Sequence, residues 1–315
     1  MGTALQWGRL SFKLQRSEFV FATLLCIGLA AAALWLTADM RTVLATCGTP
    51  TAPEACNVIY AFQTSHGHGV QTIQMAIGFA QYAVPLVLGV PILTREVEQR
   101  TAMIAWPLAG SRVKWLAWRA VPALVVALVL VGAMAFAADQ MMRTYIPNAD
   151  IGFENHGGRG VAMLTRAAFV LVAALAIGAL IGRVLPSLLI GIVLAAAVSS
   201  ALSAALPFWV ESAELKPSES IFTGGHAIPL TTGHAYRDTD GTPMSSEEGE
   251  LLHQAIYEEY GPEPDPALLP QDVWFGVAAS RYPEVLARES AALGAATLLV
   301  SGLAVVIVQR RRPGG

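Results

Sequence analysis

Between Pro91 and Trp115 the chain gathers the side chains best suited to recognition chemistry: Arg95, Glu96, Glu98, Arg100, Thr101, Trp106, Pro107, Ser111, Arg112, Lys114 and Trp115. Paired acids, a hydroxyl, two indoles and a basic exit can form ion pairs and interfacial contacts, and none of them is arranged as a nucleophile with a base. No Gly-x-x-x-x-Gly-Lys-Ser/Thr string occurs, so a phosphate-cradling loop of that type is excluded. Neither a His-Glu-x-x-His pair nor a Gly-x-Ser-x-Gly elbow occurs, which argues against zinc-protease and serine-hydrolase chemistry.

The remaining chemistry-bearing residues are scattered. His66, His68, His226 and His234 have no spacing that supplies three or four zinc ligands, so polar loop histidines are the expectation and no metal is expected. Glu247, Glu248, Glu250, Glu258 and Glu259 alternate with Leu251, Leu252, Ile256 and Tyr260 at helical spacing, which predicts a solvated helix over 245–260. Cys47 and Cys56 lie close enough in one loop to be a disulfide candidate, worth about 2 to 3 kcal/mol if unstrained, with two free thiols as the alternative. Gln71, Gln74 and Gln81 fall at about 0°, 300° and 280° when roughly 100° is turned per residue. That single face would line a pathway or hydrogen-bond neighbouring helices.

The elements that must position these residues are apolar. Of 315 residues 54% are hydrophobic and only 14% charged, against about 25% charged in an ordinary soluble protein. Runs free of Asp, Glu, Lys and Arg extend over 19–38, 63–94, 120–138, 167–182, 184–210 and 290–309. About 20 residues cross a hydrocarbon core about 30 Å thick, so six transmembrane helices are expected. The fourth run is short, and Arg166 is expected to snorkel to the interface at its start. No strongly charged site falls inside the six runs, which argues against a proton- or ion-coupled carrier. Pro85 and Pro91 predict a kink in the second span, and Gly178 with Gly182 forms a small-residue pair suited to close packing within the chain.

Charge placement sets the orientation. Twelve of the 20 Lys and Arg, but only three acids (Glu18, Glu96 and Glu98), fall on the side of the two termini, which is therefore expected to be cytoplasmic. The fold class expected is an all-α polytopic integral membrane protein in the plasma membrane, with both termini cytoplasmic. Its parts are an amphipathic N-terminal segment (1–18), five spans with an inner loop at 95–117 (19–210), an extracytoplasmic segment (211–288), and a sixth span with a basic tail (289–315). Trp106 and Trp115 suit interfacial depth, and Arg112, Lys114 and Arg119 suit anionic lipid headgroups. A net charge of -3 gives no reason to expect nucleic acid as a partner.

The string Arg95-Glu96-x-Glu98-x-x-Thr101, followed by Trp106-Pro107 and Ser111-Arg112-x-x-Trp115, resembles the inner loop of ABC-2 type transporter permeases. Related loops usually carry Gly before the Thr, where this chain has Arg100. The resemblance implies a permease subunit that binds no cofactor itself, with ATP and Mg used by a separate cytoplasmic ABC ATPase. It implies that residues Arg95 to Trp115 form the ATPase-coupling loop and that a second permease copy, as a homodimer or with a relative, completes the pore. An exporter of a hydrophobic or amphipathic compound is the resulting expectation. Its rivals are a membrane-anchored sensor or immunity protein that binds a ligand through 211–288, and a membrane enzyme using the outer histidines.

Overall fold

The computed structural model describes residues 15–46, 59–99, 101, 111–146, 151–216, 228–262 and 264–311. Residues 1–14, Cys47, Cys56, Arg100, Trp106, Pro107 and His226, about which expectations were stated above, lie outside the described residues. The chain divides into two compact units, one of Met1–Pro147, Asn155–Ala201 and Arg288–Gly315, the other of Asn148–Glu154 and Leu202–Ala287.

Unit 1 is built from α1 (Arg16–Thr46), α2 (Ile59–Glu98), α3 (Arg112–Tyr145), α4 (Gly160–Ile181), most of α5 (Val184–Ala205) and most of α7 (Tyr282–Arg310). Each of the six contains a window long and apolar enough to cross a membrane. In α2 and α4 those windows are 67% and 61% buried, against 11% in α5 and 17% in α7, so α2 and α4 form the core of the unit. Leu86 and Val90 of α2 meet Val170 and Ala174 of α4 and Ala195 of α5 in one apolar cluster.

Small residues make that approach possible. A Cβ on Gly89 would lie 3.0 Å from both the Ala174 Cβ and the Leu171 carbonyl oxygen, and one on Gly178 would lie 3.1 Å from the Thr94 methyl. The Gly178 and Gly182 pair thus works within the chain, but by two devices. Gly178 admits α2, whereas Gly182 adopts φ +71° and ends α4, donating its N–H to the Gly178 carbonyl at 2.9 Å. The α2 helix runs through Pro85 and Pro91, both buried. It also takes in the polar stretch from Gln63 to Gly69, because it begins at Ile59.

Unit 2 contains an antiparallel sheet that the all-α expectation for 211–288 did not include. Its strands β1 (Ala213–Glu214), β2 (Leu230–Arg237), β3 (Pro243–Met244) and β4 (Gln271–Val277) lie in the order β1-β4-β2-β3. The central pair aligns His234 with Trp274 and Tyr236 with Asp272. Helix α6 (Ser246–Tyr260) begins one residue after the expected Ser245, which caps it in a reciprocal pairing with Glu248. Its expected apolar face is only partly used. Ile256 is buried, and the ring of Tyr236 lies where a Cβ on Gly249 would be, but Leu251 and Tyr260 are exposed. Phe153, Val210, Val277 and Val285 form the core of the unit, with Tyr282 edge-on to Phe153 at 5.3 Å.

Candidate functional site

The last turn of α2 and the first turns of α3 carry most of the described members of the 95–117 segment, and four of them, Arg95, Glu96, Glu98 and Arg112, tie one helix to another. Arg95 pairs with Glu18 of α1. Glu96 pairs with Arg119 of α3, both side chains almost fully buried. The Glu98 carboxylate accepts the Val184 N–H at 3.3 Å, which places an anion at the first residue of α5, where the helix dipole favours it. Thr101 returns its hydroxyl to the Glu96 carbonyl at 3.4 Å.

The α3 side of the segment completes the lattice. Ser111 caps α3 by accepting the Lys114 N–H at 3.5 Å. Arg112 Nη1 donates to the carbonyls of Gln309 at 2.9 Å and Arg311 at 2.8 Å, where α7 runs out of intrahelical donors. Arg311 in turn donates to the Ala179 carbonyl in the last turn of α4. All six long helices are therefore joined at this basic end through charged or capping contacts.

Several expectations are corrected by this geometry. Arg119 does not reach lipid headgroups but is buried against Glu96, because an unpaired carboxylate at that depth would be costly. Trp115 is buried at 1% exposure, with the Arg119 guanidinium 5.1 Å from its ring, and is not an interfacial aromatic. Lys114 does stay exposed, its Nζ 4.9 Å above the Trp118 ring. The three glutamines do not share one environment. Gln71 is exposed, Gln74 donates to the Met142 thioether, and Gln81 is buried at 4% exposure with its Oε1 unpartnered.

A second charged cluster lies at the other end of α4, about 20 Å from the Ala179 carbonyl at 1.5 Å per residue. Glu289 of α7 is completely buried, with Oε2 2.6 Å from His156 Nε2 and Oε1 accepting Arg166 Nε at 2.8 Å. Arg166 is 4% exposed, so it does not snorkel. Nearby in sequence, Arg159 pairs with Asp139 of α3 at 3.2 Å. The chain turns sharply to deliver His156, with Asn155 at φ +50° and Gly157 at φ +84°. A Cβ on Gly157 would run into the Arg166 guanidinium. One signal for this pairing was present in the sequence: Arg166 and Glu289 each directly precede a charge-free run, so both sit at the same depth in two helices that enter from one side.

His66 faces Asp39 at 3.5 Å and His234 faces Asp272 at 3.1 Å. Among the described residues no three His, Cys, Asp or Glu side chains group as a metal site. Cys26 is buried in α1.

The arrangement is thus a bundle of apolar helices with a charged lattice at one end and a buried ion-pair cluster near the other. A family model described as ABC-2 membrane transporter related matches residues 21–207, more than half of the chain. The chain belongs to this family. The match takes in most of α1, all of α2 to α5 and the whole 95–117 segment, and ends before the sheet of unit 2. No curated protein and no solved structure matches the chain. Membership makes this ABC-2 related chain a multi-pass transporter permease, the membrane component and not the ATPase of such a system.

Proposed function

We propose that the chain is the membrane half of an ATP-driven exporter for a hydrophobic or amphipathic compound, working as a homodimer in the plasma membrane. The basic end is the cytoplasmic end in this reading, and the 95–117 segment is the surface that meets a cytoplasmic ATPase, which alone uses ATP and Mg. The observation that carries the reading is the lattice described above. Glu96, Glu98 and Arg112 link both flanks of the segment to α3, α5 and α7, so a push on the segment would be felt by those helices together. An ATPase that closes on nucleotide could then shift the bundle between two packed arrangements.

Because Glu98 also holds α5, a charge reversal there would disturb the bundle as well as any docking. Trp106→Glu is used as the probe, with its melting temperature measured beside the pull-down to separate loss of docking from loss of fold. In nanodiscs, the wild-type chain is expected to retain a nucleotide-hydrolysing subunit through purification, and Trp106→Glu is expected to lose it at unchanged melting temperature. Retention of no ATPase by well-folded wild type would overturn the proposal and favour the ligand-sensing role for unit 2.

A further inference from the structure

A lateral groove with a cavity volume of about 200 Å3 opens between α3, α4 and α7 within unit 1. Val113, Ala117, Val121 and Leu124 form one wall, faced by Leu171 of α4 and Val305 of α7. Its hydroxyl, Ser301, already donates to the Thr297 carbonyl at 2.7 Å, so the lining offers a ligand nothing but apolar contact. From Val113 to Leu124 the wall runs about 16 Å along α3. That is half of a hydrocarbon core about 30 Å thick, the depth of a single leaflet.

The mouth differs from the walls. At roughly 100° per residue, the Val113–Ala117–Val121 stripe is flanked at its first turn by Arg112 on one side and Lys114 on the other. Arg112 is committed to the carbonyls ending α7. Lys114 is exposed in the first turn of α3, at the basic end of the helix, with its Nζ 4.9 Å from the Trp118 ring. A groove one leaflet deep, with an exposed lysine directly following the lining residue Val113 at its end, is complementary to a molecule that has an apolar tail and an anionic head. We propose that it binds one acyl chain of an anionic phospholipid from the leaflet at the basic end, with the headgroup phosphate held by Lys114. The proposal is independent of which ATPase or cargo the chain serves.

The test is native mass spectrometry of the delipidated full-length protein titrated with dioleoyl phosphatidylglycerol or dioleoyl phosphatidylcholine. Wild type is expected to bind the anionic lipid several-fold more tightly. Lys114→Gln is expected to abolish the preference. Ala117→Phe is expected to weaken the binding of both lipids, since Ala117 is exposed and a ring there fills the groove without entering the helix core. Ala120→Phe, a second plug from the same wall, is expected to repeat that result, with melting temperatures reporting that each variant is folded. Equal binding of the two lipids by wild type, or a preference that survives Lys114→Gln, would overturn the headgroup assignment. Unchanged binding by folded Ala117→Phe and Ala120→Phe would overturn the groove itself.

Discussion

Glu289 shows how one side chain can hold three parts of a membrane unit. Its carboxylate is shared between Arg166 of α4 and His156 of the preceding turn, with no exposure to solvent. Removing it leaves a buried arginine without its counter-ion, which costs about 3–5 kcal/mol for a pair of this kind. Glu289→Ala is therefore expected to lower the melting temperature in detergent markedly. The double variant Arg166→Met, Glu289→Leu is expected to recover most of the loss, since a buried pair replaced by apolar groups is often neutral. A double variant as unstable as the single would show that the carboxylate acts through something other than the Arg166 charge. Glu248 gives a residue-scale prediction in unit 2. The Ser245 N–H at 3.0 Å and its hydroxyl at 2.9 Å hold the Glu248 carboxyl below the usual carboxylate range. A carboxylate with a depressed pKa in the folded state adds stability at pH values above its unfolded pKa, and that stability is lost as pH falls through the folded value. Amide exchange in α6, corrected for its intrinsic rate, is expected to quicken as pH drops from about 6 to about 3. Glu248→Gln is expected to remove most of that pH dependence, and Ser245→Ala only part of it, because the backbone N–H at 245 remains.

At the scale of elements, two glycines set how helices meet and stop. Gly89 lets α2 approach α4 until a Cβ would touch both Ala174 and the Leu171 backbone. Gly89→Val is expected to separate the core pair and to lower the melting temperature more than Gly78→Val, because nothing lies within 4 Å of a Cβ on Gly78. Gly182 ends α4 in the left-handed region, and Val97 and Arg311 stand where its Cβ would go. The same Arg311 caps the α4 carbonyl at Ala179, so the turn, the tail and α2 are fitted to one another. Arg112 plays the matching part for α7. Arg112→Gln is expected to loosen the last turn of α7, read as faster amide exchange at Val308 to Arg310, while the α3 helix that Ser111 caps is left intact.

At the scale of the whole molecule, burial is uneven in a way that bears on assembly. Helix α5 shows Leu185, Leu189, Ile190 and Val193, and α1 shows Phe21, Leu24, Ile27 and Trp35, all more than half exposed or close to it. Such faces are satisfied by lipid or by a second copy, and the proposed homodimer requires the latter for at least one of them. In a background lacking native cysteines, Val193→Cys is expected to cross-link between chains in membranes, and Leu298→Cys on α7 serves as the comparison. A chain that stays monomeric in nanodiscs and cross-links at neither position would remove the homodimer from the proposed function.

The apolar helices and the basic segment after α2 were legible in the sequence because both depend on local quantities. A run of about 20 residues without charge has one low-energy place, and clustered Lys and Arg mark one side of it. The capped helix starting beside Ser245 was legible for the same reason: a capping box and its periodicity lie within four turns. The short strands of unit 2 were not, since β1 and β3 are two residues each and exist only through pairing with β4 and β2. Nor were the partners of the charged side chains. Glu96, Arg119 and Trp115 looked like a surface and turned out to be core, and Arg166 looked like an interfacial anchor until Glu289, 123 residues on, met it at the same depth. Sequence by itself determined which segments leave water, because transfer free energy is a sum over nearby residues. Only the tertiary structure decided which charges are neutralised inside, because that depends on which helices become neighbours.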